Sequence, residues 1–169
     1  QQNFVKDYYL KQVESSVIPL LLDANRPMNY VRDKSLYLGI VMGKKNQSED
    51  LKYAIIEIPA PLLGRFAILP SPKKEIHVIL LEDIIKYNLP YIFSFFGFDE
   101  FHAHAFKITR DAEFDLDNDI NTNLAEKIAK AIKTRSKGKP TRFVFDENMH
   151  PQLVEFLFKK LDITKKDSI

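Results

Sequence analysis

The hydrophobic period of this 169-residue chain changes partway along, and that change limits its architecture more than any other feature. Leu36, Leu38, Ile40 and Met42 alternate with Tyr37, Gly39 and Val41, and Tyr53-Ala54-Ile55-Ile56-Glu57-Ile58 repeats the pattern beyond a polar stretch, 44–50. Two period-two runs flanking polar residues predict a hairpin with a long loop. Residues 66–69 and 76–80, set among Pro59, Pro61, Pro70 and Pro72, read as two further short strands. Ahead of them, Phe4, Val5, Tyr8, Tyr9 and Val13 recur at helical spacing until Pro19, which predicts an entry helix.

Past residue 80 the period becomes helical. Leu81, Ile84, Ile85, Leu89, Ile92 and Phe93 predict a helix that Pro90 must end or kink, because proline has no N–H to donate. A strand follows at 101–109. Ile120, Leu124, Ile128 and Ile132, four apart, predict a long helix with Gly138 as its left-handed cap. Residues 141–145 read as a strand. Pro151 opens a last helix whose apolar face is Leu153, Val154, Leu157, Phe158 and Leu161. Strands crowd the first half and alternate with helices in the second, so the expected fold is α+β, one domain over 1–169, with a mixed sheet and about four helices.

The absence of Cys excludes a disulfide framework, a thiolate metal site and a Cys nucleophile, and it fits a reducing cytoplasm. No apolar run reaches the ~20 residues that a bilayer requires. The start, Gln1-Gln2-Asn3-Phe4, has neither a basic leader nor an apolar signal core, so a soluble chain is expected. It also begins without Met inside a helical pattern, which predicts a piece of a longer polypeptide. A net charge of +2 is too small for general polyanion or nucleic-acid binding.

Several motifs invite chemistry, and each has a plainer reading. His102 and His104, two apart in a strand, share a face and have metal-chelating spacing, but two imidazoles without a third ligand underdetermine a site. Asp115, Asp117, Asp119 and Glu126 fit positions of a calcium loop, yet Ile120 stands where the sharp turn needs Gly, so these acids better suit the positive start of the long helix. Gly39 to Lys45 falls one residue short of a phosphate loop, and Lys45 replaces the hydroxyl that would hold magnesium. Lys133, Arg135, Lys137 and Lys139, with the doublets Lys44-Lys45, Lys73-Lys74 and Lys165-Lys166, could attract a phosphate polymer. A basic helix end is also what the helix dipole favours.

The most pointed segment is 106–117, where an apolar strand runs straight into Arg110-Asp111-Ala112-Glu113 with no turn residue. The Arg110 fork suits a carboxylate or a phosphate, and Asp111 and Glu113 beside it favour an ion-paired hinge or an interdomain contact, since neighbouring acids repel phosphate. Ile108-Thr109-Arg110-Asp111-Ala112-Glu113-Phe114-Asp115-Leu116 resembles the signature of the middle, or head, domain of bacterial polyphosphate kinase. Leu69-Pro70-Ser71, the run 78–85, Pro140-Thr141-Arg142-Phe143-Val144 and Asp167-Ser168-Ile169 continue the resemblance in order over nearly the whole chain.

The resemblance implies an α+β head domain likened in fold to phosphohistidine phosphatases. The parent enzyme it implies is cytoplasmic, able to associate with a membrane, and moves the terminal phosphate of ATP reversibly onto polyphosphate with Mg, through a phosphohistidine in a C-terminal half. That half and a helical N-terminal domain are expected to be absent. None of His77, His102, His104 and His150 matches the family's catalytic motif, so no catalytic, cofactor or metal residue is assigned. The domain is expected to be architectural, meeting other domains of its polypeptide, a second subunit and the polymer tunnel. Candidate polyanion or interdomain contacts are Arg110, Asp111, Glu113, Lys133, Arg135 and Lys139. Two other readings stay open: a stand-alone polyphosphate-binding module, and phosphohistidine-directed chemistry at one of the His.

Overall fold

The computed structural model describes residues 1–26, 28, 30–45, 47–71, 75–110, 140–164, 166 and 168. The entry helix α1, Gln2–Tyr8, continues as a wider π-helical segment, Tyr9–Val13, and one tight turn, Glu14–Ser16. Strands β1 (Pro19–Leu21), β2 (Leu36–Lys44) and β3 (Gln47–Glu57) lead to a short helix α2, Ala60–Leu63. Then come β4 (Phe66–Leu69), β5 (His77–Leu80), α3 (Leu81–Tyr87), α4 (Leu89–Ile92), β6 (Glu100–Arg110), β7 (Pro140–Phe145) and α5 (Pro151–Leu161).

Five strands form one sheet in the order β1-β3-β2-β6-β7, while β4 and β5 pair apart as a two-stranded ribbon. The α+β class holds, but the sheet expected as mixed is antiparallel at every named pairing. A single bridge between Phe143 and Ser168 is its parallel component. The reason lies in the connections, since β2 and β3 form a hairpin and β6 returns beside β2 in the opposite sense, as the register Leu36 opposite Lys107 requires. The hairpin loop is also tighter than expected, with Lys44 opposite Gln47. Polar side chains do not interrupt a ladder made by the backbone, so the polar stretch became strand.

Alternation along β2 sends Leu38, Ile40 and Met42 to one face and Tyr37 and Val41 to the other. The first face is covered by Val5, Tyr9 and Val13 of the entry helix and by Ile84, Ile85, Leu89 and Phe93. The second is covered by Leu153, Leu157 and Leu161 of α5, with Tyr37 stacked on Phe106 at 5.4 Å. Gly39 lets α5 approach: a Cβ there would lie 3.0 Å from Leu153 Cδ2.

The helical run 81–93 breaks at Asn88, and Pro90 falls in the first turn of α4, where no N–H is needed. The Asn88 side chain donates to the Ile84 carbonyl at 2.8 Å and closes the end of α3. At the end of α5, Asp162 turns left-handed (φ 54°) and the Ile163 N–H reaches the Phe158 carbonyl. The long helix expected at 120–138 lies outside the described residues.

Candidate functional site

Arg110 ends β6 beside β7, opposite Pro140, just after a register shift at Thr109. Its backbone N–H donates to Asp33 Oδ1 at 2.8 Å, and the Lys34 N–H donates to the Ile108 carbonyl at 2.9 Å. The charged strand end is therefore clasped by the loop before β2. Asp33 is 77 residues away in sequence, and no local pattern signalled it. Asp111, Glu113, Lys133, Arg135 and Lys139 lie outside the described residues, as do the calcium-like acids, Lys73-Lys74 and Lys165. On the opposite face of the same strand pair, Lys107 and Arg142 both reach solvent.

His102 and His104 do share a face of β6, but each meets one carboxylate. His102 Nε2 lies 3.1 Å from Glu100 Oε1, and His104 Nδ1 lies 3.5 Å from Asp146 Oδ2. Among the described residues no group of three or more His, Asp or Glu is placed to hold a metal. Asp146 also accepts the Asn148 N–H at 2.9 Å, and that bond, helped by His104, holds its carboxyl below the usual range. His77 bridges Gln1 Nε2 and Glu75 Oε2, while His150 precedes α5 with Nδ1 buried and unpartnered. Gly39 and Gly43 lie inside β2 or at its end, which makes the phosphate-loop likeness a strand.

An open cleft of about 490 Å³ lies where β6 passes α3 and α4, lined by Lys86, Tyr87, Leu89 and Pro90 on one side and by Asp99 and the β6 residues Phe101 to His104 on the other. No sequence signal marked it, because its walls come from elements that meet only in the fold.

An ion pair on a buried carboxylate was also missed. Glu82 is 3% exposed at the start of α3, and its Oε1 accepts from Arg65 Nη2 at 2.6 Å and Nε at 3.1 Å. Bonding to that carboxylate raises the Arg65 guanidinium above its already high value. The Leu81 N–H donates to the Arg65 carbonyl, so β4 and α3 are tied twice.

The ribbon tied in this way presents an apolar face to solvent. Ile68 sits opposite Val78, with Phe66 two residues along on the same side, and these are 69%, 58% and 64% exposed. Leu62 and Ile76 are more exposed still. Phe95, between α4 and β6, is fully exposed, with Tyr91 and Phe96 half-exposed beside it. Contiguous exposed apolar groups of this kind mark interaction surfaces. No described helix is long and apolar enough to cross a membrane.

Residues 1–169 match the family described as the polyphosphate kinase middle domain. The chain is 35% identical over its whole length to a polyphosphate kinase of Vibrio parahaemolyticus, of which it covers 24%. It is 34% identical, again over its whole length, to that of Escherichia coli K12, covering 25%. The chain thus spans about a quarter of the relatives it matches. A crystal structure of polyphosphate kinase from Porphyromonas gingivalis superposes with a TM-score of 0.76 over 99% of this chain and 23% of that one, at 23% identity.

Proposed function

The chain belongs to the polyphosphate kinase family, whose middle domain it matches from end to end, and from this premise we propose that it is the architectural domain of an enzyme that reversibly transfers the terminal phosphate of ATP to polyphosphate. In that reading the phosphohistidine, ATP and Mg belong to parts of the polypeptide beyond these residues. The domain contributes docking surface to them and to a second subunit of a cytoplasmic enzyme. The observation that carries the proposal is the apolar ribbon face, Phe66, Ile68 and Val78, held out on a ribbon that the Arg65–Glu82 pair fixes in place. A ribbon anchored by a desolvated carboxylate yet bare on its other side is built to be covered.

The test is Phe66→Lys in the longer enzyme. Polyphosphate synthesis should fall while the unfolding midpoint of the isolated chain stays unchanged, because the side chain is exposed here. Unchanged synthesis would overturn the docking role. The purified 169-residue chain is expected to be silent with ATP, Mg and polyphosphate, and synthesis by it would overturn the architectural assignment.

A second reading, direct contact with polyphosphate, is favoured by Lys107 and Arg142 reaching solvent on one face of β6 and β7. A titration with long-chain polyphosphate at two salt concentrations, repeated with Arg110→Ala and Arg142→Ala, checks it. Counterion release makes true polyanion binding weaken with salt, and salt-independent or absent binding would remove this reading.

A further inference from the structure

Strand β6 outlasts the strand beside it. Its pairing with β7 runs from Phe106 to Arg110, and the last backbone bond on that side is the Asp146 N–H to the Ala105 carbonyl at 3.1 Å. On the other side β2 accompanies β6 down to Glu100. From Glu100 to His104, β6 is therefore a sheet edge with no strand against it among the described residues. In an antiparallel strand the N–H and C=O of one residue point the same way and successive residues alternate. Since Ala105 faces β7, the backbone groups of Ala103 and Phe101 face the open edge, and this edge forms a wall of the cleft beside α3 and α4.

We propose that this edge pairs with the same edge of a second copy of the chain, antiparallel, about a two-fold axis through His102. The inference names the surface for the subunit contact proposed above and rests on that reading only for the existence of a second subunit. The register follows from the room available. Five residues lie between the start of β6 and the Asp146 contact, and the symmetric pairing that uses all five is centred on the middle one. Phe101 and Ala103 of each copy then exchange backbone bonds with Ala103 and Phe101 of the other, which gives four in all.

The side chains agree with this register. Glu100 falls opposite His104 of the second copy, and an opposite-charge or hydrogen-bonding pair at directly facing positions stabilises a sheet. His104 meets Asp146 through Nδ1, which leaves Nε2 for the incoming carboxylate. On the other face Phe101 meets Ala103, large against small. A one-residue slip would set Glu100 against Ala103 and Phe101 against His102, which mixes the two faces.

The chain carries no Cys, so a single introduced thiol reads the contact directly. At the axis, His102 of the two copies forms a non-hydrogen-bonded pair with Cα atoms about 4.5 Å apart, within the roughly 4.4–6.8 Å span of a disulfide. The experiment is air oxidation of His102→Cys at micromolar concentration beside Glu155→Cys, an exposed position on α5. His102→Cys should form a disulfide dimer at least about ten-fold faster, because pairing raises the effective thiol concentration towards the millimolar range.

Adding Ala103→Pro, which removes an N–H that β2 does not use, should abolish that advantage while the far-ultraviolet spectrum is kept. Equal rates for His102→Cys and Glu155→Cys would overturn the pairing. So would trapping that survives Ala103→Pro. The assay shares neither residues nor readout with Phe66→Lys in the longer enzyme, so either idea can fail alone.

Discussion

Leu153 docks on β2 only because residue 39 has no side chain. Gly39→Ala would put a methyl 3.0 Å from Leu153 Cδ2 and 3.4 Å from the Phe106 ring, with α5 behind them. Overpacking of this kind costs about 1–3 kcal/mol, to be read as a lower urea midpoint at unchanged slope. Asp146 tests charge instead of volume. Its carboxyl is held below the usual range by the Asn148 N–H and by His104, against an opposing push from burial. A depressed folded pKa stabilises the fold above the unfolded value, and that contribution is lost as pH falls through the folded one. Asp146→Asn should therefore be less stable than the wild type near neutrality, and the two should converge below pH ~4. The difference should be small, because the side chain is 38% exposed and solvent screens it. At this scale the sequence was least legible. The Asp33 clasp on Arg110 and the Arg65–Glu82 pair join residues 77 and 17 apart. No periodicity encodes a contact between elements.

Elements were more legible, because each records one physical regularity. Pro151 and the spacing of Leu153, Leu157 and Leu161 placed α5, and the structure buries those three leucines on the Phe143 side of the sheet. Leu157→Ala should cost about 2–5 kcal/mol, the range for a fully buried Leu whose neighbours close in only partly, measured by urea unfolding. Pro90 marked a break in the helical run but not its form. The chain stops one helix at Asn88 and starts another at once, using Pro90 where its missing N–H is harmless. The β2–β3 loop was misjudged because composition reports what a side chain prefers, whereas the ladder from Lys44 to Gln47 is made by groups common to every residue. The open edge of β6 was invisible for a related reason, since strand pairing depends on where the neighbour ends.

Taken whole, the molecule is finished on the faces of its main sheet and unfinished around them. Both sheet faces carry a packed core, yet Phe66, Ile68, Val78 and Phe95 stand in solvent. The chain spans about a quarter of the length of the relatives it matches, and under the proposed architectural role these side chains are the surface that meets the rest of a longer polypeptide. Exposed apolar surface on a well-packed domain separates two properties that usually fall together. The isolated chain should bind an environment-sensitive apolar dye while its near-ultraviolet circular dichroism, which here comes from Tyr and Phe alone, stays native. A loosely packed collapsed state would bind dye but lose that signal. Phe66→Lys with Val78→Lys should remove most of the dye binding and move the unfolding free energy by no more than about 0.5 kcal/mol, as expected for exposed positions. If the ribbon docks as proposed, the same pair of substitutions should cost far more in a longer enzyme, because docking would bury the two lysines without partners. If dye binding persists in the double variant, the apolar ribbon is not the surface that matters, and the aromatic group around Phe95 takes its place as the site to substitute next.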